Sequence, residues 1–142
     1  MTRLNDWPTR LSDYVLRVAR EPFKYGRLDC GLFVAGAIDA LVGVDVVAEL
    51  RGQYSTRREA FDVIASHCGR RSMEAIAAHL AERNGFPETP VAFAQCGDPV
   101  VLRRGASSSL GIVAMHGTEL LTPYKDGLLR LPLSHATRAY HI

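Results

Sequence analysis

The stretch Pro22-Phe23-Lys24-Tyr25-Gly26-Arg27-Leu28-Asp29-Cys30-Gly31-Leu32-Phe33-Val34 constrains the fold of this chain more than any other. It turns an extended, Gly-containing segment into an apolar helix and places a cysteine at the junction. From Cys30 onward, Phe33, Val34, Ala37, Ile38 and Leu41 recur at the spacing of one helix face. Asp29 is a preferred N-cap type, and Gly43 suits the left-handed residue that closes a helix. The thiol of Cys30 is thereby assigned to the first helical turn, where free N–H groups and the helix dipole favour an anion. A thiolate is the reactive form of cysteine, so this position is expected to lower the thiol's pKa. Buried free cysteines are also common as small core residues, which is the bland alternative for Cys30.

A chain of 142 residues is expected to form one domain spanning 1–142. Hydrophobic residues make up 47% of it, enough for a real core. The 17 basic and 15 acidic residues leave a formal charge of only +2, which gives no electrostatic argument for a nucleic-acid partner or an anionic membrane. The first residues contain no apolar signal region, and no window approaches the ~18 apolar residues of a membrane span. Cys30, Cys68 and Cys96 cannot all pair within one chain, so reduced thiols and an intracellular origin are expected. They lie 38 (30 to 68) and 28 (68 to 96) positions apart with no C-x-x-C pair. Neither a metal site nor a cofactor is expected. Asp29, Asp45, Glu49 and Asp98 all have capping or turn explanations, so no catalytic carboxylate pair stands out.

The first two-thirds of the chain reads as helical. Leu11, Tyr14, Val15 and Val18 form one stripe, with Asp6 or Thr9 as cap and Pro22 as stop. The Cys30 helix follows, and Gly31 and Gly36 within it predict a close backbone approach. Asp45 to Leu50 reads as a short helix ended at Gly52. Thr56-Arg57-Arg58-Glu59 is a capping box for a helix that ends at Cys68-Gly69, and Ser72 caps another that ends at Asn84-Gly85. After the Pro-bounded segment 86–90 come five β-type runs: Pro99 to Leu102, Leu110 to Met115, Glu119 to Thr122, Leu128 to Leu131 and Arg138 to Ile142. Helices first and short strands later predict an α+β fold, with N-terminal helices packed on a small antiparallel sheet of about five strands.

This layout, with Tyr25-Gly26 ahead of Asp29-Cys30-Gly31-Leu32, resembles the NlpC family of cell-wall cysteine peptidases. Gly97-Asp98 matches the family's Gly-Asp before the first sheet strand, and Ser109-Leu110-Gly111-Ile112 matches in part its His-Val-Gly-Ile strand. The resemblance implies a papain-like fold. A closer similarity is to small phage and prophage tail proteins related to that family. It rests on Trp7-Pro8, the Pro22 to Cys30 segment, Leu50-Arg51-Gly52-Gln53-Tyr54, Asp126-Gly127-Leu128 and Leu131-Pro132-Leu133. It implies a component made in the bacterial cytoplasm and built into a tail tip or baseplate, with other tail proteins as partners.

A cysteine peptidase needs a base beside the thiol, oriented by a third polar group. Where the resemblance places that histidine, this chain has Ser109, and a hydroxyl does not take a thiol proton at neutral pH as imidazole does. Thr122 is the nearest polar residue for the orienting position. His116 is the candidate base nearest in sequence, although strand alternation puts it opposite Ser109, Gly111, Val113 and Met115. His135 and His141 lie near the C-terminus, His141 on the last strand, and His67 and His79 belong to a helix end and a polar helix face. Two functional expectations follow. One is a tail component with an incomplete catalytic site around Cys30. The alternative is an active peptidoglycan cysteine endopeptidase aiding genome delivery, with Cys30 as nucleophile and His116 or a later histidine as base.

Overall fold

A computed structural model describes the whole chain, Met1–Ile142. Four helices come first: α1 (Trp7–Val18), α2 (Cys30–Val42), α3 (Arg57–Cys68) and α4 (Met73–Asn84). Six strands follow: β1 (Glu88–Thr89), β2 (Pro99–Arg104), β3 (Ser107–Val113), β4 (Glu119–Tyr124), β5 (Gly127–Pro132) and β6 (Ala136–Tyr140). All pairings are antiparallel, in the order β1-β6-β2-β3-β4-β5. The α+β expectation holds, with one strand more than the five expected. The extra strand is the two-residue β1, wedged between Pro87 and Pro90, where prolines mask the pairing of Glu88 with Tyr140.

The capping residues set the helix limits as expected. The Asp29 carboxylate accepts from Leu32 N–H, Thr56 from Glu59 N–H and Ser72 from Ala75 N–H. Gly43, Gly69 and Gly85 close these three helices in the left-handed region. Helix α1 starts after Asp6, whose side chain makes no cap bond; Pro8 sits in the first turn, where a missing N–H leaves no bond unmade. The segment Asp45 to Leu50 is not helical. Asp45 accepts from Val47 N–H at 3.2 Å and pairs with Arg51 at 2.6 Å, while Leu50 N–H closes a turn onto Val47. A short acidic side chain has here satisfied the backbone locally in place of a helix.

Helix α2 is the central element. It packs on α1 and lies across β3 and β4. Its apolar residues are buried on more than the one face read from their spacing: Leu32, Ala35 and Ala40 are buried along with Phe33 and Leu41. One core joins Leu11, Phe33, Leu41, Val101 and Ile112 across the two helices and the sheet. Leu32 and Ala35 turn the other way and meet Val47 and Leu50. On the far face of the sheet Val100, Leu102, Val113 and Leu120 form a smaller cluster, covered in part by Val91 and Leu133.

The glycines of α2 correct the close-approach expectation. A Cβ on Gly31 would find open space apart from the Asp29 carboxylate at 3.5 Å. At Gly36 the approaching group is a side chain, not backbone: a Cβ would collide with the Tyr14 hydroxyl, which donates to Phe33 C=O at 2.9 Å.

A buried carboxylate also ties the ends of the chain together. Asp98 is fully inaccessible and accepts from Arg3 (2.9 Å), Gln95 N–H (2.9 Å) and Ile142 N–H (3.2 Å), with His141 Nδ1 at 3.2 Å. Arg3 also donates to the carbonyls of Cys96 and Ile142. Such a charge is tolerated in the interior because every oxygen has partners. No helix is long and apolar enough to cross a membrane.

Truncating Phe33 or Leu41 to Ala is expected to lower unfolding free energy by roughly 2–5 kcal/mol. Thr56→Ala is expected to cost about 1 kcal/mol through the lost cap. Gly36→Ala should also destabilise, by displacing Tyr14. Urea melts unchanged by these substitutions would contradict the packing described.

Candidate functional site

The segment leading into α2 is fixed by Asp29, which is only 4% exposed. One carboxylate oxygen accepts from Leu32 N–H at 2.9 Å. The other accepts from Gly26 N–H at 3.0 Å and from the Tyr54 hydroxyl at 2.7 Å. One side chain thus holds the Tyr25-Gly26 turn, the first turn of α2 and the 50–54 segment in a single arrangement. Gly26 is required there: its φ is +83°, and a Cβ would run into the Tyr54 carbonyl oxygen. Burial and the Asp29 carboxylate together push the Tyr54 phenol far up, so it stays a donor.

Cys30 follows at the start of α2 and keeps partial exposure at the wall of a cleft. Its surroundings reverse the expectation of an acidic thiol. Burial among protein atoms pushes the thiol pKa up, and the Asp29 carboxylate adds to this. The Ser109 hydroxyl and the N–H groups of Leu110 and Gly31 pull the other way without winning. The helix N-terminus alone does not yield a thiolate when the sulfur is desolvated beside an anion.

Ser109, the residue that the resemblance sets in the place of a base, lines the same cleft as Cys30. Thr122 lies near it but is engaged: fully buried, it donates to Leu110 C=O at 2.9 Å. His116 is not brought to Cys30. Strand β3 ends at Val113, earlier than read from the sequence, so Met115 and His116 lie in the β3–β4 turn, where Gly117 N–H bonds Ala114 C=O. Ser109 to Val113 is about 13 Å of strand, which carries the exposed His116 to the end of β3 away from Ser109. His141 is held by Asp98 at the joined termini. His67 closes α3, His79 is on α4, and His135 lies in the 3-10 turn Leu133–His135. No histidine lines the cleft.

The cleft has a volume of about 290 Å³ and runs from Cys30 along α2, beneath α3 and α4 and over the sheet. Of its 32 lining residues, 25 are hydrophobic, and the others, Asp29, Gly31, Arg57, Pro99 and Ser107 to Ser109, include all its charged side chains. Arg57 stacks over Phe61 at 4.8 Å and lies beside Tyr25, whose phenol is raised by burial and drawn back by that guanidinium. Sequence reasoning assigned no site role to Tyr54, Arg57 or Tyr140, which also lines the cleft. A tyrosine directly after the Leu50-Arg51-Gly52-Gln53 turn was the available signal for the first. No cluster of three or more potential metal-ligating side chains forms.

Tyr54→Phe removes one of the three donors to Asp29 and is expected to cost about 1.5–3 kcal/mol, the range for a hydrogen bond to a charged group. Gly26→Ala should cost more, since it meets both strain and a backbone collision. Equal thermal stability of both variants and the parent chain would refute the role given to Asp29.

The chain belongs to the family described as Domain of unknown function (DUF6950), which it matches over residues 2–142. Comparison with curated proteins and with solved structures finds no match to either.

Proposed function

We propose that this chain is a component of a phage or prophage tail tip or baseplate, built on a papain-like fold of the NlpC type whose cysteine site lacks a general base. The observation that carries the second half of this reading is that Cys30 and Ser109 line one cleft that no imidazole lines. A thiol whose pKa is raised, with no base to accept its proton, is a poor nucleophile at neutral pH. The NlpC-type assignment is supported by a cysteine at the N-terminus of a helix that packs across an antiparallel sheet, with Ser109 on the facing strand.

The tail assignment rests on the sequence similarity, and the geometry lends it support. Three of the similar segments meet around the site. Residues 22–30 touch 50–54 through Gly26, Asp29 and Tyr54. They are joined to the β4–β5 hairpin by Phe23 N–H to Tyr124 C=O, and Leu128 N–H binds Ala19 C=O just before them. A shared pattern that maps to one supporting framework is what a family of common fold would keep. The protein would be made in the bacterial cytoplasm and carried into the virion, with other tail-tip or baseplate proteins as its partners.

Two measurements test this reading. Purified protein under reducing conditions should release no soluble muropeptides from peptidoglycan. Release abolished by Cys30→Ala would overturn the incomplete site and establish the endopeptidase alternative. Particles induced from a lysogen carrying the gene should contain the chain, and tails should fail to assemble without it. Intact, infectious particles lacking it would refute the structural role.

A further inference from the structure

The cleft beside Cys30 has properties that neither a tail role nor a missing base explains. Protein interiors are close-packed, and voids larger than a few waters are uncommon. Here about 290 Å³ stays open between α2, the α3–α4 pair and the sheet. That is close to the lower end of the ~300–1,000 Å³ of small-molecule sites. The polar lining is gathered at the Cys30 end, where Asp29, Ser109 and the exposed Arg57 lie. The remainder is walled by side chains such as Ile38, Ile64, Met73, Ala77 and Leu80.

One polar group breaks that apolar wall. Tyr140, 5% exposed, lines the cleft, and its hydroxyl is buried with no hydrogen-bond partner. A hydroxyl buried in this way costs free energy unless something supplies an acceptor or donor.

We propose that the cleft binds a medium-chain aliphatic acid that carries an oxygen near its far end. The carboxylate sits at the mouth against Arg57, the chain follows α2, and the distal oxygen pairs with the Tyr140 hydroxyl. The lining from Cys30 to Ile38 spans about 12 Å of helix, the length of roughly ten carbons. A peptide segment is the poorer occupant, because each residue brings an N–H and a C=O that need partners. The interior offers only Tyr140, since Asp29 is already saturated by three donors. An alkyl chain makes no such demand, and apolar cavities are known to take up apolar molecules readily. The inference needs the cleft alone and stands apart from any virion role.

Titration calorimetry of the full chain with decanoate and ω-hydroxydecanoate, below their micelle concentrations, tests this. Both acids should bind one per chain, and the hydroxy acid should bind about 2–10-fold tighter, the factor a net hydrogen bond gives. Tyr140→Phe should erase that preference. Arg57→Gln, at an exposed position, should weaken both acids alike. Ala77→Trp, which fills the cleft, should abolish binding while thermal melting shows a folded protein. Absence of saturable binding by either acid would overturn the proposal, as would equal affinity for the two in the parent chain. So would unimpaired binding to a folded Ala77→Trp, or binding of an apolar helical peptide where both acids fail.

Discussion

The carboxylate of Asp29 is the constraint on which the site depends. It is buried next to a sulfur, and burying a charge is tolerated only when hydrogen bonds replace its water. Gly26 N–H, Leu32 N–H and the Tyr54 hydroxyl supply them. Because these donors come from three separate segments, satisfying one anion fixes a turn, a helix start and a loop at once. Burial raises the thiol it adjoins, and the same anion adds to that rise. The group that builds the cysteine's surroundings thus also restrains its reactivity.

A second buried carboxylate performs the matching task at the other end of the chain's course. Asp98 gathers Arg3, Gln95 N–H and Ile142 N–H, which closes the N-terminal arm against the end of β6. Its neighbour His141 is thereby committed to this cluster. Of the two Asp residues that the NlpC resemblance singles out, each proves to be an anchor whose lone pairs are spoken for, and neither faces the thiol as a free acid or base.

What was legible in the sequence was mainly local. Asp29, Thr56, Ser72 and the glycines after α2, α3 and α4 act on backbone groups within a few residues, so their caps could be read directly. Strand identity was legible from turn chemistry, yet β3 lies earlier than expected. Ser107 to Ser109 carry no apolar signal, and only pairing with Leu102 to Arg104 makes them strand. The Asp45 segment was misread because an acidic side chain bonding its own backbone competes with helix formation. Gly36 was misread because its partner, Tyr14, is distant in sequence. The raised thiol was hidden for the same kind of reason: helix position is local, whereas desolvation by the whole fold is not. Cleft and orphaned hydroxyl are likewise products of tertiary packing, and no spacing rule reports them.

The central claim is that Cys30 remains a protonated thiol because burial raises it, with Asp29 adding to this, and no imidazole lines its cleft to take the proton. The direct measurement is the pH dependence of Cys30 alkylation by iodoacetamide, with Cys68 and Cys96 replaced by Ser. Only the thiolate reacts. A pKa raised by burial leaves little of it at neutral pH, so the rate should stay low near pH 7 and climb only on the alkaline side of an ordinary cysteine. Ser109→His should move that rise to lower pH by placing an imidazole beside the sulfur. A parent protein that alkylates fully near pH 6–7, with a profile unmoved by Ser109→His, would contradict the account.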